Sequence, residues 1–241
     1  ASNIETKNFL KILNAKNIIY TGNIKLLSKI DQNQVCNLNE KILSKNKFWL
    51  AASTHQGEEI FCLKTHVELK KSYNNTLTII APRHIERSAA IKSLCDKLNL
   101  KSQILNKNET IQEGFEVIII NSFGILSNYL RYAKSVFIGK SMLKSLEKVG
   151  GQNPIDAAKL GCKIYHGPYI YNFKEVYEIL EKNNVSKRIN NHHQLTEHLI
   201  ADLENNNKDI DKFNNLMKNL EKNTLDNTLE GINKYIFNDF K

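Results

Sequence analysis

Between Lys47 and Asn183 the chain repeats one pattern: a short apolar run closed by a turn signal, then a longer run with helical spacing. KFWLAAS (47–53), TLTIIA (76–81), EVIIIN (116–121), SVFIG (135–139) and CKIYHG (162–167) read as strands. GEEIFCLKTHVELKKSY (57–73), HIERSAAIKSLCDKLN (84–99), GILSNYLRYA (124–133), PIDAAKLG (154–161) and NFKEVYEILEKN (172–183) carry the helical period between them. Strands that are apolar on both sides need cover on both faces. Helical crossovers supply that cover and leave the strands parallel. The expectation is an α/β chain, a parallel sheet with helices on both faces.

The flanks read differently. Residues 2–13 predict a helix with Phe9, Leu10 and Leu13 on one face, and NIIYTGN (17–23) predicts a short strand. Residues 24–45 read as a connector with some helix. After Asn191, Leu195, Leu199 and Leu203, then Phe213, Leu216 and Leu220, keep helical spacing and predict amphipathic helices. No apolar run approaches the roughly 20 residues of a membrane-spanning helix, and no signal-peptide pattern is present. A first residue of Ala1 suggests a piece of something longer.

Net charge is +9, so a basic surface can meet a phosphorylated ligand, anionic lipid or nucleic acid. The lysines are dispersed and no aromatic–basic interleaving is present, so nucleic acid is not expected as a partner. Cys36, Cys62, Cys95 and Cys162 have no zinc-like spacing, and they read as buried reduced thiols.

Sheets of this kind bind ligands in the loops beyond the carboxyl ends of their strands. That directs attention to residues 53–57, 82–84, 121–124, 139–153 and 167–172. In STHQGEE (53–59), two acids opening a helix complement its dipole, and His55 can contact a substrate or move a proton. In APRHIERS (81–88), Arg83 follows a strand-ending proline, and its planar fork suits a phosphate or carboxylate; a surface pair with Glu86 is the plain alternative. In NSFGIL (121–126), Gly124 lets backbone approach a ligand closely. In KVGGQNPIDAAKLG (148–161), Gly150 and Gly151 give a flexible approach to a helix capped by Asn153, begun by Pro154 and carrying Asp156 in its first turn. The same groups make a helix cap and an anion seat, and the residues alone leave both readings open. DID (209–211) matches a two-acid metal pattern but sits in a polar tail, and no metal is expected there.

In order and approximate spacing, ASTHQGEE, APRHIERS, FIGKS, GGQNPIDAA and GPYIYNFKEV resemble the bacterial Kdo (3-deoxy-D-manno-octulosonic acid) transferases, over roughly residues 16–183. NIIYTGNIKLL resembles that family's passage between its two domains. The resemblance implies the carboxyl-terminal, Rossmann-like domain of a GT-B glycosyltransferase. Residues 1–25 then correspond to the tail end of the amino-terminal acceptor domain, 26–46 to a connector, 47–190 to the donor domain and 191–241 to carboxyl-terminal amphipathic helices.

It further implies CMP-Kdo as donor, with contacts at Pro82 and Arg83, at Phe123, Gly124 and Ile125, and at Asn153, Pro154, Ile155 and Asp156. His55, Glu58 and Ser141 are additional candidates. The family's glutamate base is expected upstream of Ala1, with no catalytic residue in this chain, no cofactor and no metal. A lipid A precursor and the cytoplasmic face of the inner membrane are implied as partners of the full-length protein, and inversion at the anomeric centre as its stereochemistry. Three positions depart from the family pattern: Ile125 stands for a usual acid, Lys140 for a usual glycine and Asp156 for a usual glutamate. The loop 141–150 is also longer than is typical. Two alternatives stand beside this reading: a different nucleotide-sugar enzyme of the same architecture, and a non-catalytic binding domain.

Overall fold

The computed structural model describes residues 1–30, 38–204 and 210–236. It falls into two compact units, one of Ala1–Ile30 with the segment from Ile210 onward, the other Asp31–Asp209.

The larger unit is built on seven parallel strands: β1 (Lys47–Thr54), β2 (Thr76–Pro82), β3 (Ser102–Leu105), β4 (Val117–Ile120), β5 (Ser135–Ile138), β6 (Lys163–His166) and β7 (Ser186–Arg188). Their order across the sheet is β3-β4-β2-β1-β5-β6-β7, and every pairing is parallel. The expectation of a doubly covered parallel sheet therefore holds. β2, β4 and β5 are buried at every position, as strands covered on both faces must be.

Side chains alternate between the two faces. Trp49, Ala51, Ile80, Val117, Ile119, Phe137 and Tyr165 pack with α3 (Glu58–Ser72), α4 (Ser88–Lys97) and α8 (His192–Glu204) through Leu63, Leu69, Ile91, Leu195 and Leu199. On the alternate positions lie Leu50, Ile79, Ile118, Val136 and Ile164. That side is covered by α5 (Leu126–Leu130), α6 (Ile155–Lys159) and α7 (Lys174–Lys182), whose Tyr177 ring lies 4.3 Å from that of His166. A short helix, α2 (Glu40–Lys45), leads into β1.

α8 is held to the sheet by a buried carboxylate. Asp202 accepts from Tyr165 Oη and Ser135 Oγ, both at 2.6 Å, and from Lys163 Nζ at 3.0 Å. Burial pushes the Tyr165 phenol well above its ordinary range, so it remains a donor at any working pH.

The smaller unit joins α1 (Ile4–Ile12), a 3₁₀ turn (Ile24–Leu27) and α9 (Ile210–Ile236). Asn3 caps α1 by accepting from the Thr6 amide at 2.6 Å. Gly22 lies so close to α9 that a Cβ there would stand 3.1 Å from Thr224 Oγ1.

Three expectations need correction. Residues 17–23 form no strand, because Asn17 and Gly22 both take positive φ and break the extended run at its ends. The helix expected over 84–99 begins as a separate 3₁₀ turn (Ile85–Arg87), and that over 124–133 shortens to α5. β3 and β7 carry no strong apolar run in the sequence: they are edge strands with exposed or half-buried positions. Cys62, Cys95 and Cys162 are buried thiols, and burial raises Cys95 to about 11. Cys36 and Asp209 of the DID motif lie outside the described residues.

Candidate functional site

The chain runs outward from β1 in one direction through β2, then returns to place β5 on the other side of β1. The carboxyl ends of β1 and β5 therefore frame the switch point where such sheets bind ligands. All the loops singled out from the sequence lie at this end of the sheet.

The β1–α3 loop is organised by two buried acids. Glu58 Oε2 accepts from the amides of His55 (2.9 Å) and Lys140 (2.7 Å), and its Oε1 from those of Ser141 (2.8 Å) and Met142 (3.0 Å). Four acceptor positions of a carboxylate are thereby filled, and the loop after β1 is tied to the loop after β5. Gly139 makes this possible: a Cβ there would lie 2.5 Å from Ser53 O and 2.8 Å from Glu58 Oε2. Glu59 accepts from the Gly57 amide at 3.0 Å and takes a two-pronged pair from Arg87, Nε at 2.8 Å and Nη2 at 3.1 Å. Dipole complementarity, expected of these acids, is the smaller part of what they do.

The loop after β5 is stitched to the loop after β6. Ser141 is fully buried; its hydroxyl donates to Ile138 O (2.7 Å) and accepts from the Gly167 amide (2.9 Å), while its carbonyl accepts from Tyr169 N (2.9 Å). A Cβ on Gly167 would run into the Ser141 carbonyl. A Cβ on Gly150 would overlap the Tyr169 carbonyl, and Gly151, at φ +87°, packs on the Ile170 backbone. These two glycines are thus required by close approach rather than by flexibility. Asn172 closes the seam, donating its amide to Gly150 O (2.9 Å) and Nδ2 to Val149 O (2.7 Å).

Against this framework a different set of groups is left available. Pro82 is buried at the end of β2 opposite Thr54, and the Arg83 amide donates to Thr54 O at 3.0 Å. The Arg83 side chain is exposed and has no ion pair among the described residues; the alternative pair with Glu86 does not form. Arg87 is committed to Glu59.

Phe123 is 64% exposed, and Gly124, at φ +78°, has open space where a Cβ would be. Ile125 is half-buried beside them, at the start of α5. At α6, Asn153 Oδ1 accepts from the Ile155 amide at 3.0 Å, with Pro154 and Ile155 buried. The expected cap is displaced by one residue: Pro154 takes the N-cap position, the helix begins at Ile155, and Asn153 reaches past the proline to the first helical amide. The Asp156 carboxylate is half-buried, with no hydrogen bond to another described residue.

His55 lies between the two sets. Its Nδ1 is 3.1 Å from Ser53 O, and its ring meets that of His84 edge-on at 5.8 Å. Burial holds its pKa below the ordinary value, partly offset by Ser53 O and Glu58, so the ring is neutral at pH 7. Donation from Nδ1 to Ser53 O leaves Nε2 as the acceptor.

The sequence-predicted residues thus divide. Among the described residues, the Arg83 guanidinium and the Asp156 carboxylate have no ion pair or hydrogen bond, and Phe123 and Gly124 are exposed, whereas Glu58 and Ser141 face inward and build the loops. Sequence reading missed Glu59 with Arg87 and the double-glycine packing. The only signal for the first was the acid pair itself.

A parallel seven-stranded sheet with this order, flanked on both faces, is the fold of the carboxyl-terminal domain of GT-B glycosyltransferases. The crystal structure of the C-terminal CMP-Kdo binding domain of WaaA from Acinetobacter baumannii superposes with a TM-score of 0.65 at 22% identity, covering 79% of this chain and 96% of that one. No family model matches the chain. Among curated proteins, the 3-deoxy-D-manno-octulosonic acid transferase of Haemophilus influenzae is 32% identical over 66% of this chain and 37% of its own length. That of Aquifex aeolicus is 27% identical over 77% of this chain and 48% of its own length. The chain is a homologue of the Kdo transferases, and it spans about half the length, or less, of these curated relatives.

Proposed function

We propose that this chain is the donor-binding part of an enzyme that moves Kdo from CMP-Kdo to a lipid A precursor. The observation that carries the reading is Arg83: an exposed guanidinium without an ion partner among the described residues, at the carboxyl end of β2 beside the switch point. The donor carries its phosphate on the sugar, and CMP is the leaving group. Charge therefore develops on a single phosphate as the glycosidic bond breaks. One guanidinium, with backbone amides at the start of α6, suffices to stabilise it without a metal. Gly124 gives the nucleotide room for close approach, and the Asp156 carboxylate, without a hydrogen bond to another described residue, is suited to a ribose diol.

In this reading a base outside residues 1–241 deprotonates the acceptor hydroxyl, which attacks the anomeric carbon from the face opposite CMP and inverts it. The chain alone binds donor without turning it over, and the complete protein works at the cytoplasmic face of the inner membrane. Support comes from the Kdo transferase homologues and from the ordered set of loop motifs at one end of the sheet.

The test is ligand-induced stabilisation. Millimolar CMP is expected to raise the melting temperature, and Arg83→Ala to abolish the shift with the unliganded melting temperature unchanged. Absence of a shift in the wild-type chain, or a larger shift with UDP than with CMP, overturns the assignment.

A further inference from the structure

A second group of side chains lies away from the donor loops. Glu68 is ten residues along α3 from Glu58, or about 15 Å at the helical rise per residue. It faces the start of α8, where His192 and His193 open the helix. His193 Nδ1 is 2.7 Å from Glu68 Oε1, and His192 Nε2 is 3.5 Å from the same oxygen. One ligand atom from each of the three residues falls within 4.8 Å of the other two.

We infer that Glu68, His192 and His193 form a binding site for a divalent transition-metal ion, zinc above all, that staples α8 to α3. Two imidazoles and a carboxylate are a donor set that zinc accepts. In a tetrahedral zinc site neighbouring ligand atoms stand roughly 3.3 Å apart. The two Glu68 distances bracket that value, so small side-chain rotations admit the ion.

The carboxylate is already oriented. The single Thr196 hydroxyl proton is shared between the His192 carbonyl at 2.9 Å and Glu68 Oε2 at 3.1 Å, an outer contact that links the carboxylate to the first turn of α8. The backbone is fixed as well, since α3 and α8 pack through Leu63, Leu69, Leu195 and Leu199 of the core. The His193 side chain is 66% exposed while those of Glu68 and His192 are 20% and 25% exposed, which leaves an entry path and room for water as the fourth ligand. The positive end of α8 disfavours a cation, and the Glu68 charge offsets it.

Zinc chloride titrated into chelator-treated protein is expected to bind at one ion per chain and to raise the melting temperature. The His192→Ala/His193→Ala double variant should weaken that binding at least about tenfold while melting like the wild type in EDTA. Equal binding by the two proteins, or no stoichiometric binding by the wild type, overturns the inference. Should the double variant not fold, the electron paramagnetic resonance spectrum of the copper(II)-loaded wild type decides. Hyperfine coupling to two imidazole nitrogens supports the site, and any other count refutes it.

Discussion

Replacing Glu58 by Gln changes one oxygen to an amino group and almost nothing in volume. Its consequence follows from the four amides around it. His55 N and Lys140 N donate to one carboxylate oxygen, and Ser141 N and Met142 N to the other. Whichever way the amide flips, its NH₂ faces two N–H donors. Two hydrogen bonds to a charged acceptor are lost, each worth about 1.5–3 kcal/mol, so destabilisation of about 3–6 kcal/mol is expected. That is a large share of a total stability of about 5–15 kcal/mol.

Urea unfolding of wild type and variant measures it, with an unchanged m-value showing that only the folded state has been weakened. CMP binding should weaken too, because Glu58 ties the loops after β1 and β5 together. A loss below about 1 kcal/mol would refute the reasoning, by showing that water or loop movement satisfies the four amides without the carboxylate.

Three further outcomes follow from the backbone and from four buried or half-buried histidines. Lys140 holds φ at +58°, and Lys140→Gly should stabilise the fold by about 0.5–1 kcal/mol, read from thermal unfolding, since relief of left-handed strain exceeds the added chain entropy. Gly150→Ala must push apart the Tyr169 and Leu146 carbonyls and should cost well over about 2 kcal/mol, whereas Gly124→Ala, with open space around it, should cost only the left-handed penalty of about 1 kcal/mol; equal losses in urea unfolding would contradict the packing argument. His55, His66, His166 and His198 are each held below the ordinary 6.5, by burial first. The unfolded chain then takes up protons first, so the stability these groups confer is present above pH 6.5 and is lost as pH falls below it. Melting temperatures at pH 7.5 and 5.5 should differ in that direction, and a flat profile would count against buried neutral rings.

The central strands and the placement of the loops beyond their carboxyl ends were determined by the sequence alone. Apolar runs such as TLTIIA and EVIIIN are the direct image of strands covered on both faces, and their alternation with helical periods implies parallel pairing. The edge strands β3 and β7 escaped, because the two middle positions of β3 are only half-buried and two of the three positions of β7 are exposed, so neither carries such a pattern.

Within the loops, chemistry-bearing residue types were visible, but their partners were not. Glu58 reads as a helix-start acid until Lys140, Ser141 and Met142 arrive from more than eighty positions along the chain. Arg83 and Arg87 look equivalent in sequence, yet Glu59 takes one and leaves the other without an ion partner among the described residues. The glycines of KVGG read as flexible until the backbone at 169–170 comes against them. Local patterning records which face of an element is covered, so it writes the fold into the sequence. Which polar groups are consumed by the framework, and which remain for a ligand, is decided by contacts between distant segments, and only the tertiary structure brings those together.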